Sequence, residues 1–230
     1  MRTCPTVASH PPVAPPPRPC PVCGRTTRGT TPVCYCCRTV SGQLGLPLVP
    51  LVALAEYRIG DRTHRRLRAY KDAAVAEVRD RSRSELVTEL AARCADPVAG
   101  PATRLRPWVV VTTVPSSCRP GGAPAEGLVD GVPWLSRDHL RLLIRGGGDG
   151  GHLRAGRDVF DLAPGVDRAG LAGLAVLVFD DTTTTGAAVQ SAAAALRLAG
   201  AHVVGALVMG RALAPATGVG GAVRSASCRP

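Results

Sequence analysis

Short β-branched apolar runs alternate with longer stretches of helical period in this chain. Val109–Val114 lies between Pro107 and Pro115, and Ala175–Phe179 and His202–Met209 are runs of the same kind. Such runs, bounded by breakers and apolar on both faces, predict buried parallel strands. Ala187–Ala199 predicts a helix between the last two. From Asp61 to about Ala95 the chain reads helical, with one segment near Arg62–Ala69 and a second apolar stripe at Leu86, Leu90 and Ala91. The run at 51–57 fits a short strand or the start of a helix, and 124–144 a helix or loop. Strands alternating with helices predict an α/β fold, a parallel sheet with flanking helices.

The ends and joints break this pattern. Residues 1–19 hold seven prolines and no period, which predicts a disordered or extended tail. Pro47-Leu-Val-Pro50 reads as a linker, and five glycines in 146–151 read as a flexible segment. Residues 212–230 are small and polar and read as a flexible tail. The main domain is therefore expected over 51–211.

With 230 residues, 45% hydrophobic but only 3% aromatic, the core has to be built from Ala, Val and Leu. Net charge is +11, which suits polyanionic partners: nucleic acid or a multiply phosphorylated small ligand. Arginines cluster at Arg58, Arg62, Arg65, Arg66 and Arg68, and at Arg79, Arg81 and Arg83. A solvated helical surface is the plainer account of them, and no interleaved aromatics support a single-strand groove. No run approaches the roughly 18 apolar residues of a membrane span, and Arg2 followed by prolines is no signal segment. A cytoplasmic protein is the expectation.

Of nine cysteines, four have metal-ligand spacing. Cys20-Pro-Val-Cys23 and Cys34-Tyr-Cys36-Cys37 form two C-x2-C knuckles, whose four thiolates complete a tetrahedral zinc site. A small zinc ribbon over 20–45 is expected, with Cys20, Cys23, Cys34 and Cys37 as ligands of a structural Zn2+, since four sulfurs leave no open position. Cys36 leaves the second knuckle's pairing ambiguous.

The richest chemistry lies at 176–187. An apolar run ends in Asp180 and Asp181, passes through Thr182, Thr183, Thr184 and Thr185, and reaches Gly186 and Ala187 at the start of a helix. A buried strand would deliver both carboxylates to its carboxyl end, where they can accept hydrogen bonds from vicinal sugar hydroxyls. A hydroxyl- and glycine-rich loop at a helix N-terminus can hold a phosphate. The implied ligand is a ribose 5-phosphate.

This stretch resembles the diphosphoribosyl-binding motif of type I phosphoribosyltransferases, matched by Asp180, Asp181, Thr184, Thr185, Gly186 and Ala187. With zinc knuckles in front, the combination resembles the ComF family of competence-associated, phosphoribosyltransferase-like proteins, over 20–37 and more loosely 57–211. Arg68-Ala-Tyr70-Lys71-Asp72, Val109–Ser117 and Gln190–Leu196 are similar to further family segments. The resemblance implies phosphoribosyl pyrophosphate with Mg2+ as ligand, Asp180 and Asp181 on the ribose hydroxyls, and Thr182–Ala187 on the 5-phosphate. It also implies transfer of the phosphoribosyl group to a nitrogen nucleophile, and a link to DNA or DNA-uptake proteins. The alternative is a non-catalytic phosphoribosyl- or nucleotide-binding module. One departure stands out: after the 109–114 strand the family's Arg-Gly-Phe-Asn-Gln is replaced by Ser116-Ser117-Cys118-Arg119-Pro120. Ser116, Ser117 and Arg119 either hold the diphosphate or form a plain surface loop. Lys71 and Arg211 stand as further candidates for ligand contact or for surface positions. His139, His152 and His202 lack ligand spacing, and Trp108 and Trp134 read as apolar anchors.

Overall fold

In the computed structural model the described residues are 16–27, 30–95, 100–105, 107–116 and 124–213. Strands β1 (Arg18–Pro19) and β2 (Thr26–Thr27) pair antiparallel around the first knuckle. Arg18 and Pro19, assigned from the sequence to the tail, thus open the cysteine unit. Helix α1 (Tyr35–Leu44) starts within the second knuckle, with Cys34 at its N-cap and Cys37 in its first turn, and ends at Gly45.

The sheet begins with β3 (Leu51–Tyr57), so the ambiguous run at 51–57 is a strand. Helix α2 (Arg62–Asp72) starts at Asp61, whose carboxylate accepts from the His64 amide at 2.8 Å, a side-chain cap on an orphan N–H. Helix α3 (Ala76–Cys94) buries Leu86 and Leu90, the stripe seen in the sequence. A 3-10 turn over Pro101–Leu105 precedes β4 (Val110–Thr113). Region 124–144 is mostly helix, as α4 (Pro124–Asp130) and α5 (Pro133–Ser136). Strands β5 (Leu143–Arg145) and β6 (Phe160–Leu162) form a separate antiparallel pair. Helix α6 (Arg168–Leu171), β7 (Ala175–Thr183), α7 (Ala187–Leu198) and β8 (His202–Ala212) complete the chain.

Four strands make one sheet in the order β3-β8-β7-β4, every neighbouring pair parallel. This is the parallel sheet with flanking helices that the alternation predicts. Side chains of β7 alternate between two cores. Val176 and Val178 pack with Val189, Ala192 and Leu196 of α7. Leu177 and Phe179 pack with α2, α3 and α4 through Leu67, Leu86, Leu90 and Leu128. Extending that alternation places Asp180 toward α7 and Asp181 toward α2.

The glycine run at 146–151 is used for close approach. The Gly146 and Gly148 amides donate to the Val159 and Asp158 carbonyls at 3.0 and 2.8 Å. A Cβ on Gly146 would stand 2.4 Å from the Asp158 carbonyl oxygen, so a side chain there would part the two segments. The linker is likewise held: Gln190, buried on α7, donates to the Val49 carbonyl at 2.8 Å and accepts from the Val49 amide at 3.0 Å.

Candidate functional site

Strand β7 runs four residues beyond the apolar stretch that marks it in the sequence. Asp180 pairs with Val208, Thr182 with Gly210 and Thr183 with Arg211. Because β8 is long, its backbone satisfies these polar residues, and both carboxylates are held on rigid strand at the carboxyl edge of the sheet. Ligands of open α/β sheets bind at that edge.

Asp181 is buried at 4% exposure. Its Oδ1 accepts from Lys71 Nζ at 2.6 Å and from the Thr182 hydroxyl at 3.0 Å, and Lys71 also reaches Thr182 Oγ1 at 3.1 Å. Lys71 is therefore no solvated helix residue: α2 brings it to the acidic pair, with its ammonium 5.7 Å from the Tyr70 ring centre. Asp180 is half-buried and accepts from the Asp181 amide at 2.9 Å. Burial pushes Asp180 up to about 6, against the pull of the Lys71 cation and two amides. Burial pushes Asp181 up to about 7, against the Thr182 hydroxyl and nearby amides. Tyr57, buried close by, is pushed up to about 12 by burial and then by the charges of Asp181 and Asp180. Both carboxyls are poised to change charge near neutrality, the range useful for proton transfer.

The four threonines have four tasks. Thr182 joins the Lys71–Asp181 network. Thr183 is buried, and its hydroxyl accepts from the Gly186 amide at 3.0 Å. The Thr185 hydroxyl donates to the His152 carbonyl and accepts from the Ala187 amide at 3.4 Å. Among the described residues the Thr184 hydroxyl has no hydrogen-bond partner, while its carbonyl accepts from Arg25 Nη2 at 2.7 Å. Gly186 stands at the helix start with φ +84°, a left-handed conformation that costs any other residue about 1–2 kcal/mol. The loop thus turns tightly into the N-terminus of α7, where first-turn amides and the macrodipole favour an anion.

Ser116 lies two residues past Val114, whose amide donates to the Phe179 carbonyl at 3.0 Å. It is therefore at the same edge as Asp180. Ser117 and Arg119 lie outside the described residues. Arg211 is neither at the surface nor on the acidic pair. It is buried at 6% exposure, donates through Nη1 to the Cys23 carbonyl and pairs through Nη2 with Glu56. His139 lies 3.5 Å from the Thr113 hydroxyl and 3.6 Å from Asp130, and His202 is exposed. Trp108 and Trp134 pack together, with ring centres 6.3 Å apart. Of the clustered arginines, Arg66 pairs with Glu85 and Glu89, and Arg68 with Asp72.

The four knuckle cysteines come together. Cys20, Cys23, Cys34 and Cys37 are buried, with all Sγ atoms within 4.8 Å of one another, and none is in a disulfide. A Zn–S bond of about 2.3 Å in a tetrahedron separates sulfurs by about 3.8 Å. Cys23 and Cys34 are 3.6 Å apart, so the set fits a zinc ion. Cys36 stays outside, its sulfur 3.8 Å from Arg25 Nη1, which settles the second knuckle as Cys34 and Cys37. Hydrogen bonding with Cys37 pulls Cys23 down to about 5, while burial pushes Cys34 up to about 11 and the Cys23 contact pushes Cys37 up. Charge on Cys23 thus disfavours charge on Cys34 and Cys37, a conflict that a divalent cation removes. A cavity of about 630 Å³ lies where this unit meets the first half of β3, with Arg104 and Arg211 in its wall. The acidic pair and the threonine loop take no part in that cavity.

Sequence reasoning missed Arg25. Its partners, Thr184 and Ala212, lie 159 and 187 residues away, and no local period signals such a contact. The bonds of the Gln190 side chain to Val49 and of the Thr185 hydroxyl to the His152 carbonyl leave as little trace in the sequence.

No protein-family model matches the chain. Over 58 residues it is 47% identical to an orotate phosphoribosyltransferase of Pyrobaculum calidifontis. The match takes in 25% of this chain and 30% of that relative, so the chain spans less than a third of the relative's length. No helix among the described residues is long and apolar enough to cross a membrane.

Proposed function

We propose that this chain binds phosphoribosyl pyrophosphate and transfers its phosphoribosyl group to a nitrogen nucleophile. The observation that carries the reading is a rigid acidic pair at the carboxyl edge of a parallel sheet, running directly into a hydroxyl loop and the N-terminus of α7. The partial likeness to an orotate phosphoribosyltransferase supports the same class. In this reading Asp180 and Asp181 accept from the ribose hydroxyls. The Thr182–Ala187 loop, through the Thr184 hydroxyl and the N-terminal turn of α7 that it leads into, holds the 5-phosphate.

In the reaction the bond from C1 of the ribose to the diphosphate oxygen breaks, and its electron pair leaves with the diphosphate. The nitrogen lone pair forms the new bond to C1, and the nitrogen proton passes to a carboxylate. Asp180, half-buried and pushed up to about 6, is the carboxylate suited to take that proton. Lys71 holds Asp181 on the sugar and places positive charge beside the leaving group's path. Positioning and fixed charge carry the catalysis. Mg2+ prefers substrate phosphates and water with few protein ligands, and when bound with the diphosphate it would neutralise that leaving group. Zinc, held by Cys20, Cys23, Cys34 and Cys37, has a structural part.

The pairing of four-cysteine unit and acidic pair supports membership of the ComF family, and with it a link to DNA uptake. Calorimetry with phosphoribosyl pyrophosphate and Mg2+, on wild type and on Asp180→Asn/Asp181→Asn, tests the site. Saturable binding lost in the double variant is expected; no heat at millimolar ligand refutes it. Binding with no pyrophosphate released to any nitrogen acceptor would leave a binding module in place of an enzyme.

A further inference from the structure

The first knuckle is bonded to the sheet at three places. The Leu51 amide donates to the Val22 carbonyl at 2.7 Å, and Arg211 Nη1 donates to the Cys23 carbonyl. Arg25 Nη2 donates to the Thr184 carbonyl at 2.7 Å and to the Ala212 carbonyl at 2.8 Å. Arg25 is also part of the knuckle's own turn. Its carbonyl accepts from the Cys20 amide at 2.7 Å, and the Gly24 amide donates to the Cys20 carbonyl at 2.8 Å. One residue therefore closes the backbone around the cysteines and, with its side chain, grips the middle of the threonine loop.

We propose that metal binding by the four cysteines and phosphate binding by the Thr182–Ala187 loop are thermodynamically linked, with Arg25 as the positioning residue that carries the linkage. The proposal rests on the phosphoribosyl reading of that loop. A metal ion fixes the backbone from Cys20 to Cys23, and so fixes where the Arg25 guanidinium can reach. With the guanidinium fixed, Thr184 and the end of β8 are held in one arrangement, and the loop meets a phosphate already ordered. Without the metal the knuckle has more conformations, the grip on Thr184 is one among several, and the ligand has to bear the ordering entropy. Linkage is reciprocal: a phosphate that selects the gripped loop must raise metal affinity by the same factor. The rigid frame makes this transmission local, over one side chain.

The test uses the full chain and ribose 5-phosphate, a probe lacking the diphosphate. Zinc affinity is measured by equilibrium competition with a chromophoric chelator, with and without saturating ribose 5-phosphate. Ribose 5-phosphate affinity is measured by calorimetry on zinc-loaded and chelated protein. The expected result is the same ratio in both directions, about fivefold or more. In Arg25→Met one zinc per chain and the sugar-phosphate site remain, while the ratio falls to about one; Arg25→Lys restores part of it. Binding of ribose 5-phosphate that leaves zinc affinity unchanged overturns the linkage and leaves the loop's assignment intact. Failure of ribose 5-phosphate to bind zinc-loaded protein overturns that assignment, and the linkage with it. If chelation unfolds the chain, the zinc measurement still decides, because coupling through global folding would be equal in wild type and Arg25→Met and would overturn the role of Arg25.

Discussion

Replacing Lys71 by Met removes the ammonium that stands 2.6 Å from Asp181 Oδ1 and keeps the apolar stem beside Tyr70. Lys71 is 22% and Asp181 5% exposed in their side chains, so solvent screens the pair little. A hydrogen bond to a charged group contributes about 1.5–3 kcal/mol, and each pH unit of a midpoint corresponds to about 1.36 kcal/mol. Loss of the ammonium therefore raises the Asp181 midpoint, which burial already holds up, by about 1–2 pH units. At pH 7 the variant's Asp181 is then mostly protonated and a poor acceptor for a sugar hydroxyl. Affinity for ribose 5-phosphate falls by about tenfold at that pH, and recovers as pH rises past the new midpoint. Carboxyl 13C shifts followed against pH report the midpoint directly, and calorimetry at about pH 7 and about pH 9 reports the recovery. An unmoved midpoint refutes the reasoning. So does an affinity loss of equal size at both pH values, which would place Lys71 on the ligand itself.

Three further outcomes are expected. Burial raises both aspartates from 3.8, so the fold binds protons that the unfolded chain has released. Stability of the ligand-free protein therefore falls as pH rises from about 4 to about 7, a slope that urea titrations should find reduced in Asp180→Asn/Asp181→Asn. Gly186→Ala forces φ +84° on a residue with a Cβ 3.3 Å from Leu51 Cδ1. It should lower stability by about 1–2 kcal/mol, a fall of roughly 2–8 °C in melting temperature, and weaken ribose 5-phosphate binding by calorimetry. Cys37→Ser should abolish stoichiometric zinc, while Cys36→Ser retains one ion per chain; metal analysis after gel filtration separates the two.

The two strands that flank α7, and α7 itself, were legible because burial on both faces and the helical period are local properties of a run. The positions of Asp180 and Asp181 followed from the same run, since they come directly after its last apolar residue and the strand's end was read there. That end lay later than the pattern implied: Thr182 and Thr183 pair with Gly210 and Arg211, and a polar residue's partner on another strand leaves no trace in its own neighbourhood. The run at 51–57 stayed ambiguous because seven apolar-rich residues suit either element. Its place beside β8, at the edge opposite β4, depends on which surfaces fit. Lys71 was legible as a lone lysine but its contact was not, because the crossing of α2 over the acidic pair is a matter of three dimensions. The four cysteines declared themselves by spacing; the arginine beside them did not.

The bonds at Val49 and Cys23 bear on how the chain can be divided. A proline-flanked linker invites treatment as a joint between modules, each portable without the other. Here the joint is fastened from both sides, by Gln190 of α7 on Val49 and by Arg211 of β8 on Cys23. A fragment starting at Leu51 would keep every strand of the four-stranded sheet, yet strand Arg211's guanidinium beside Glu56 and leave the Leu51 amide of edge strand β3 without the Val22 carbonyl. Severing the small unit would thus break bonds on which both halves depend, and the two are better regarded as one object that is purified and denatured together.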